Sequence, residues 1–170
     1  MEHRRRIRPG RAPRVGHVIL VRHAHAGHKA NWDRDDGLRP LTARGLVQAE
    51  SLVRSLTDDE VSAVWSSAAV RCRQTVEPLA AARGVAVQDQ ALLAVDGGVD
   101  ELMTWILGNA SAPWALCTHG EVLHTLLDAG RSSGRIDAPA RATEKGAAWR
   151  VRPREDGSLT FEYLPPLKFR

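Results

Sequence analysis

The sequence predicts a three-layer α/β protein, with a mostly parallel central sheet and helices on both faces. Two observations carry this. Short apolar runs of strand length alternate with amphipathic helical segments along most of the chain, the order that packs helices against a parallel sheet. The first run, His17 to Val21, is apolar almost throughout instead of alternating, as a strand covered on both faces must be. Size and composition agree. The chain has 170 residues, 43% hydrophobic and 26% charged, which suits one domain with an ordinary core.

The elements follow in order. HVILV (17–21) is the first strand, and a polar, Gly-containing stretch runs from His25 to Arg39. A helix starts after Pro40-Leu41, with Thr42 as N-cap and Leu46, Ala49, Val53 and Leu56 at helical spacing. VSAVW (61–65) is the second strand. Ala69 to Arg83 forms a helix ended by Gly84, with Pro78 expected to kink or divide it. Val85 to Val87 is a short third strand and Asp100 to Leu107 a short helix. WALCT (114–118) is the fourth strand, followed by a helix from Glu121 to Ala129 closed by Gly130. Ala147 to Val151 and Leu159 to Tyr163 form a hairpin around Asp156-Gly157.

Charge and cysteine usage narrow the classes. Residues 1–14 hold six arginines against Glu2, a net +5; the formal total is +4, so the remainder comes to −1. The basic character therefore belongs to a leader over 1–14, expected to be disordered, and the folded domain to 15–170. No aromatic residue interleaves with these arginines, so no stacking surface for nucleic acid is visible. No apolar run approaches the roughly 18–20 residues of a membrane span. The N-terminus lacks the apolar stretch of a secretory signal, and cytoplasm is the expected compartment. Cys72 and Cys117 have no CxxC or zinc spacing, so they read as reduced thiols with no metal site.

In parallel α/β sheets, ligands bind beyond the carboxyl ends of the strands. Arg22-His23-Ala24-His25 follows the first strand, Ser66-Ser67 and then Arg71 the second, and Thr118-His119-Gly120-Glu121 the fourth. Histidine is a nucleophile and proton carrier near neutral pH. Arginine offers a planar fork of donors that matches phosphate oxygens, and helix N-termini add amide donors. The set describes a phosphoryl site with a histidine placed to take the group.

The segments LVRHAHAG (20–27), RPLTARGLVQAE (39–50), SSAAVRCRQT (66–75) and CTHGE (117–121) resemble, in order, the motifs of the histidine phosphatase superfamily, whose fold is called phosphoglycerate mutase-like. The RPLT segment is similar to SixA-like phosphohistidine phosphatases. RCRQTVEPLAA and KGAAW (145–149) are similar to the histidine phosphatase domain that accompanies MutT/Nudix domains, though no Nudix box occurs in this sequence. The resemblance implies a metal-independent phosphatase without cofactor. It implies His23 as the nucleophile that becomes a phosphohistidine, Arg22 and Arg71 as phosphoryl ligands, His119 as a further ligand stabilising transition-state charge, and Arg39 near the phosphate entrance.

Two departures from the family pattern stand out. Position 24 is Ala where the family has Gly, and ALLAVDGGVDEL (91–102) lacks the usual glutamate. Asp96 is the nearest candidate general acid and Glu101 the next. The lack of a strong acid would suit a leaving group that needs little help, such as a phosphorylated imidazole or a nucleoside phosphate, and would disfavour simple alkyl phosphates and a mutase reaction. The expected partners are a small phosphorylated metabolite, nucleotides included, or a phosphohistidine protein. The rival readings are a nucleotide (di)phosphate phosphohydrolase, a mutase, and a non-catalytic module that docks a phosphoprotein. His25 is close enough to line the pocket, and Trp32 is placed to contact substrate. Lys29 and Lys145 are candidates for a second phosphate, while Asp33, Asp35 and Asp36 read as solvated. His28 reads as a loop residue and His124 as core or surface. The oligomeric state is not encoded in any visible pattern.

Overall fold

A computed structural model describes residues 16–168, so the basic segment 1–14 lies outside the described residues. The seven strands are β1 (Val18–Arg22), β2 (Ala63–Ser66), β3 (Val87–Asp89), β4 (Trp114–Thr118), β5 (Ile136–Asp137), β6 (Ala148–Pro153) and β7 (Leu159–Leu164). They form one sheet in the order β3-β2-β4-β1-β6-β7-β5. The β3-β2, β2-β4 and β4-β1 pairs are parallel, β1-β6 and β6-β7 antiparallel, and β7-β5 parallel. The expected mostly parallel sheet and terminal hairpin are both present.

Four helices cover the sheet: α1 (Ala43–Ser55), α2 (Val70–Arg83), α3 (Val99–Gly108) and α4 (Gly120–Ser132). Side chains alternate across a strand, and β1 shows the result directly. Val18 and Leu20 join the core with α3 and α4, including Ile106, Leu123, Leu127 and the buried Trp149. Ile19 and Val21 join the core with α1 and α2, including Leu52, Leu56, Val76 and Leu79. These four β1 residues are fully buried, which explains why that strand reads as a continuous apolar run.

Local signals resolve as follows. Thr42 caps α1 by accepting from the Gly45 N–H. Its apolar stripe is Ala49, Leu52 and Leu56, while Leu46 is exposed. Pro78 does not divide α2, which runs unbroken to Gly84; that glycine takes the left-handed conformation that ends many helices. Gly130 does not close α4 but lies inside it. A side chain there would strike Ile136 of β5, so this glycine serves packing, not termination.

Candidate active site

The parallel register brings three strand ends to one edge. Arg22 pairs with Thr118 across β1-β4, and Ser66 with Cys117 across β2-β4. The ladder continues one residue further: His23 N–H donates to the Thr118 carbonyl at 3.1 Å and Ser67 N–H to the Cys117 carbonyl at 3.0 Å. His23 and Ser67 are thus fixed by sheet hydrogen bonding at the point where the sheet ends, His119 follows β4 as the residue that precedes α4, and Arg71 stands in the first turn of α2.

His23 is buried, with 7% of its surface exposed. Its Nδ1 lies 2.8 Å from the Ala24 carbonyl. A carbonyl can only accept, so Nδ1 carries the proton and Nε2 keeps its lone pair. Burial lowers the imidazole's pKa to about 3; the Ala24 bond opposes this, while Arg71, His119 and Arg22 add to it. The ring is neutral at physiological pH. Ala24, in place of the family glycine, is fully buried in a small cluster with Ala26, Leu41 and Ala49, and its N–H donates to Thr75 Oγ1 at 2.9 Å. The methyl is accommodated.

The His119 ring sits 5.6 Å from that of His23, nearly edge to face. Arg71 Nη2 approaches His119 Nδ1 at 3.3 Å, and Ser67 Oγ lies 2.9 Å from Nε2. Since arginine only donates, Nδ1 accepts and the Nε2–H is directed to Ser67. Cys72 Sγ is 3.6 Å from the same Nε2. Cys72 and Cys117 are free and buried, as the sequence implies. Their mutual hydrogen bond holds Cys72 below the ordinary thiol range, and burial pushes Cys117 up.

Arg71 is also bound by Asp36. Its Nη2 meets the Asp36 carboxylate at 3.0 Å and its Nη1 donates to the Asp36 backbone carbonyl at 2.7 Å. Asp36 in turn accepts from Arg39 Nε at 3.0 Å, and Arg39 Nη1 donates to the carbonyls of Ala26 and Gly27. Partial burial raises the Asp36 pKa, but the Arg39 bond and the charges of Arg71 and Arg39 outweigh it, and the carboxyl lies below its usual range. Asp36 is therefore not a solvated member of an acidic cluster. Its signal was present in the sequence, three residues before Arg39, the reach of one turn. Asp35 caps the turn by accepting from Gly37 N–H, and Asp33 is exposed.

Arg22 donates from Nη1 to the Thr143 carbonyl at 2.6 Å. Its guanidinium lies so close to Gly120, at the start of α4, that a side chain there would meet it at 2.7 Å. Burial lowers its pKa and nearby Glu121 partly offsets this. The Nε groups of both Arg22 and Arg71 are buried without a partner among the described residues, although buried donors are nearly always bonded. A cavity of about 500 Å³ opens beside Arg71 and His119, walled by Asp36, Ser67, Ala94 and Val95.

The candidate acids fall elsewhere. Asp96 is exposed on the turn after Ala91–Leu93, and the cavity wall at that turn is made by Ala94 and Val95. Glu101, in the first turn of α3, borders a different cavity with Asp100, Thr104 and Trp105. The carboxylate that the fold does bring to Arg71 is Asp36. Trp32 donates from Nε1 to the Asp35 carbonyl and holds the loop. His28 and Lys29 are exposed, and His124 is an exposed residue beside Asp128. Among the described residues, no group of three or more His, Cys, Asp or Glu is arranged to hold a metal, and no helix is long and apolar enough to cross a membrane.

The architecture is the phosphoglycerate mutase-like α/β fold, and two solved structures show it. The protein histidine phosphatase SixA complexed with tungstate has a TM-score of 0.69 and 19% identity, covering 88% of this chain and 96% of that one. Mycobacterial glucosyl-3-phosphoglycerate phosphatase has a TM-score of 0.63 and 14% identity, covering 87% and 97%. The chain belongs to the histidine phosphatase superfamily (branch 1), whose family model matches residues 18–107. The 8-oxo-(d)GTP phosphatase of Mycolicibacterium smegmatis is 31% identical over 156 residues, 88% of this chain and 48% of the relative. The chain thus spans about half the length of that relative.

Proposed function

We propose that this protein hydrolyses a phosphomonoester or phosphohistidine through a covalent phosphohistidine on His23. The carrying observation is the His23 tautomer: Nδ1–H is committed to the Ala24 carbonyl, leaving Nε2 neutral and free. In the first step Nε2 attacks phosphorus, the N–P bond forms, and the P–O or P–N bond to the leaving group breaks. The leaving group takes a proton. In the second step water attacks phosphorus, the N–P bond breaks, and phosphate departs with Nε2 again unprotonated. Arg22 and Arg71 receive the phosphoryl oxygens, and their unpartnered buried Nε groups support this assignment. His119 would add a further contact by turning its Nε2–H from Ser67 to a phosphoryl oxygen, while its Nδ1 holds Arg71. Phosphoryl transfer is mostly positioning and charge stabilisation, which such groups provide.

Asp36 sits at Arg71 and is held ionised by two arginines. It therefore positions Arg71 and donates no proton in this state. The leaving group accordingly takes its proton from water or needs none. That favours good leaving groups, nucleotides among them, and the relative named 8-oxo-(d)GTP phosphatase supports a nucleotide over a protein substrate.

The test is phosphate release in the presence of EDTA from an aryl phosphate, nucleoside mono- and diphosphates, sugar phosphates and a phosphohistidine protein. Native protein and His23→Ala are compared. Release that the variant loses, with an acid-labile label trapped on the native chain during turnover, supports the reading. Undiminished release by His23→Ala sinks it. Phosphate binding without release from any substrate moves the assignment to a docking module.

A further inference from the structure

A second cavity lies apart from the one beside His119 and is larger than it. It has a volume of about 670 Å³ and is lined by His25, Arg44, Gln48, Glu144, Lys145 and Lys168, among others. Small-molecule sites span about 300–1,000 Å³, so it is far larger than one phosphate requires. Four of these six side chains are basic or titrate to cations. Glu144 is committed elsewhere, accepting from the Tyr163 hydroxyl and approaching Arg141. Among the described residues, Arg44, Lys145 and Lys168 have no carboxylate partner.

Like charges gathered without counter-charge oppose the fold that gathers them. Two details show that cost being accepted here. Arg44 stands in the first turn of α1, which carries no acidic residue, although a helix N-terminus disfavours a cation. Lys145 is held below its ordinary pKa, first by burial and then by Arg22, Arg39 and Arg44. Arg44 shares the cavity wall with Lys145, whereas Arg22 is assigned above to the phosphoryl site, so Lys145 feels charge from both.

The cavity is bolted to the nucleophile's strand. Gln48 Oε1 accepts the His25 N–H at 2.8 Å, and Gln48 Nε2 donates to the Lys145 carbonyl at 3.4 Å. The next residue, Gly146, donates its N–H to the carbonyls of Arg22 and His23, both at 3.2 Å. Thr42 Oγ1 donates to the His25 carbonyl and accepts from Gly45 N–H, so His25 Nδ1, 2.7 Å away, must donate to it. That leaves His25 Nε2 free. His25 follows His23 by two residues, a separation of at most about 7 Å along the chain.

We propose that this cavity binds a second phosphoryl group of a small substrate whose first phosphoryl group is delivered to His23. The ligand class is a diphosphate-bearing small molecule, with Lys145, Arg44 and Lys168 as the cationic contacts. The inference rests on the phosphatase reading above and names its substrate class. A concave cavity of this volume, with His25 two residues from the nucleophile on its wall, fits a small molecule better than an extended acidic protein segment.

The test compares kcat/KM for a nucleoside diphosphate with that for the matching monophosphate, in the native protein, Lys145→Met and Arg44→Gln. The ratio is expected to fall about tenfold or more in each variant, the effect of losing a charge-assisted hydrogen bond, through KM. Binding of inorganic pyrophosphate to catalytically dead His23→Ala is measured by calorimetry with and without Lys145→Met. It should weaken by a similar factor. An unchanged ratio together with unchanged pyrophosphate binding overturns the inference while leaving the phosphatase reading intact. A rise in KM confined to a phosphohistidine protein also overturns it, and reassigns the cavity to protein docking. If no substrate turns over, the phosphatase reading fails, and Lys145-dependent pyrophosphate binding still decides the cavity.

Discussion

Asp36 grips Arg71 twice, with its carboxylate on Nη2 at 3.0 Å and its backbone carbonyl on Nη1 at 2.7 Å. The carboxylate fixes a guanidinium, yet it is also a negative charge beside the place where a phosphoryl group must arrive. Asp36→Asn keeps the shape and removes the charge. Inorganic phosphate should then bind about three- to tenfold more tightly, because a like charge has gone. The kcat should fall about tenfold as Arg71 loses its fixed orientation. Calorimetry and steady-state kinetics read the two effects separately, and weaker phosphate binding would contradict the assignment.

Gly120 has room for the Arg22 guanidinium only because it lacks a side chain. Gly120→Ala places a methyl against a flexible side chain at the first residue of α4 and otherwise removes backbone freedom from the unfolded chain, worth about 0.4–1 kcal/mol. The melting temperature should hold or rise. Activity should drop about a hundredfold, the size seen when one oxyanion donor is displaced. Loss of stability with activity retained would show that Arg22 is not needed in place.

The His23 tautomer is directly observable. Imidazole 15N shifts between pH 5 and 7.5 should report Nδ1 protonated and Nε2 bare, with no titration near the ordinary histidine value, since the ring's pKa lies at about 3. A titration centred near pH 6.5 would remove the basis for a preformed nucleophile.

Away from the site, Asp59 is buried between His17, at 2.9 Å, and Arg150, whose Nε and Nη2 each donate at 2.8 Å. Burial raises its pKa, but these bonds outweigh that and hold the carboxyl well below the usual range. The unfolded chain takes up this proton near pH 3.9, while the folded chain resists it. The stabilisation is therefore complete above about pH 4 and lost as pH falls through the folded value. Asp59→Asn should cost about 3 kcal/mol at neutral pH. Its stability should also vary less between pH 5 and 2 than the native protein's. Equal pH slopes in denaturant titrations would refute this.

Much of this was legible from one sequence because the relevant signals are local. The apolar run at His17 to Val21, the Thr42 cap and Gly84 each act within a few residues, and each element stands where its signal places it. The residues following three strands could be gathered at one edge because parallel sheets put their carboxyl ends together. What stayed hidden was long-range. Nothing near Asp36 announces Arg71, 35 residues later. Asp96 drew attention through position along the chain, but the turn that carries it leaves it exposed.

The placement of β1 between β4 and β6 bears on how the protein is made. This strand leaves the ribosome before both of its neighbours, with four apolar residues that end fully buried. Ile19 pairs with Ala115 on one side and Val18 with Val151 on the other. At bacterial or eukaryotic translation speeds of about 5–20 residues per second, its first neighbour arrives after roughly 5–20 s and its second still later. Until then a sticky edge lies open, the situation in which nascent chains aggregate or recruit chaperones. The pocket around His23 needs His119 and the Gly146 tether as well, so it stays incomplete until Gly146 has emerged.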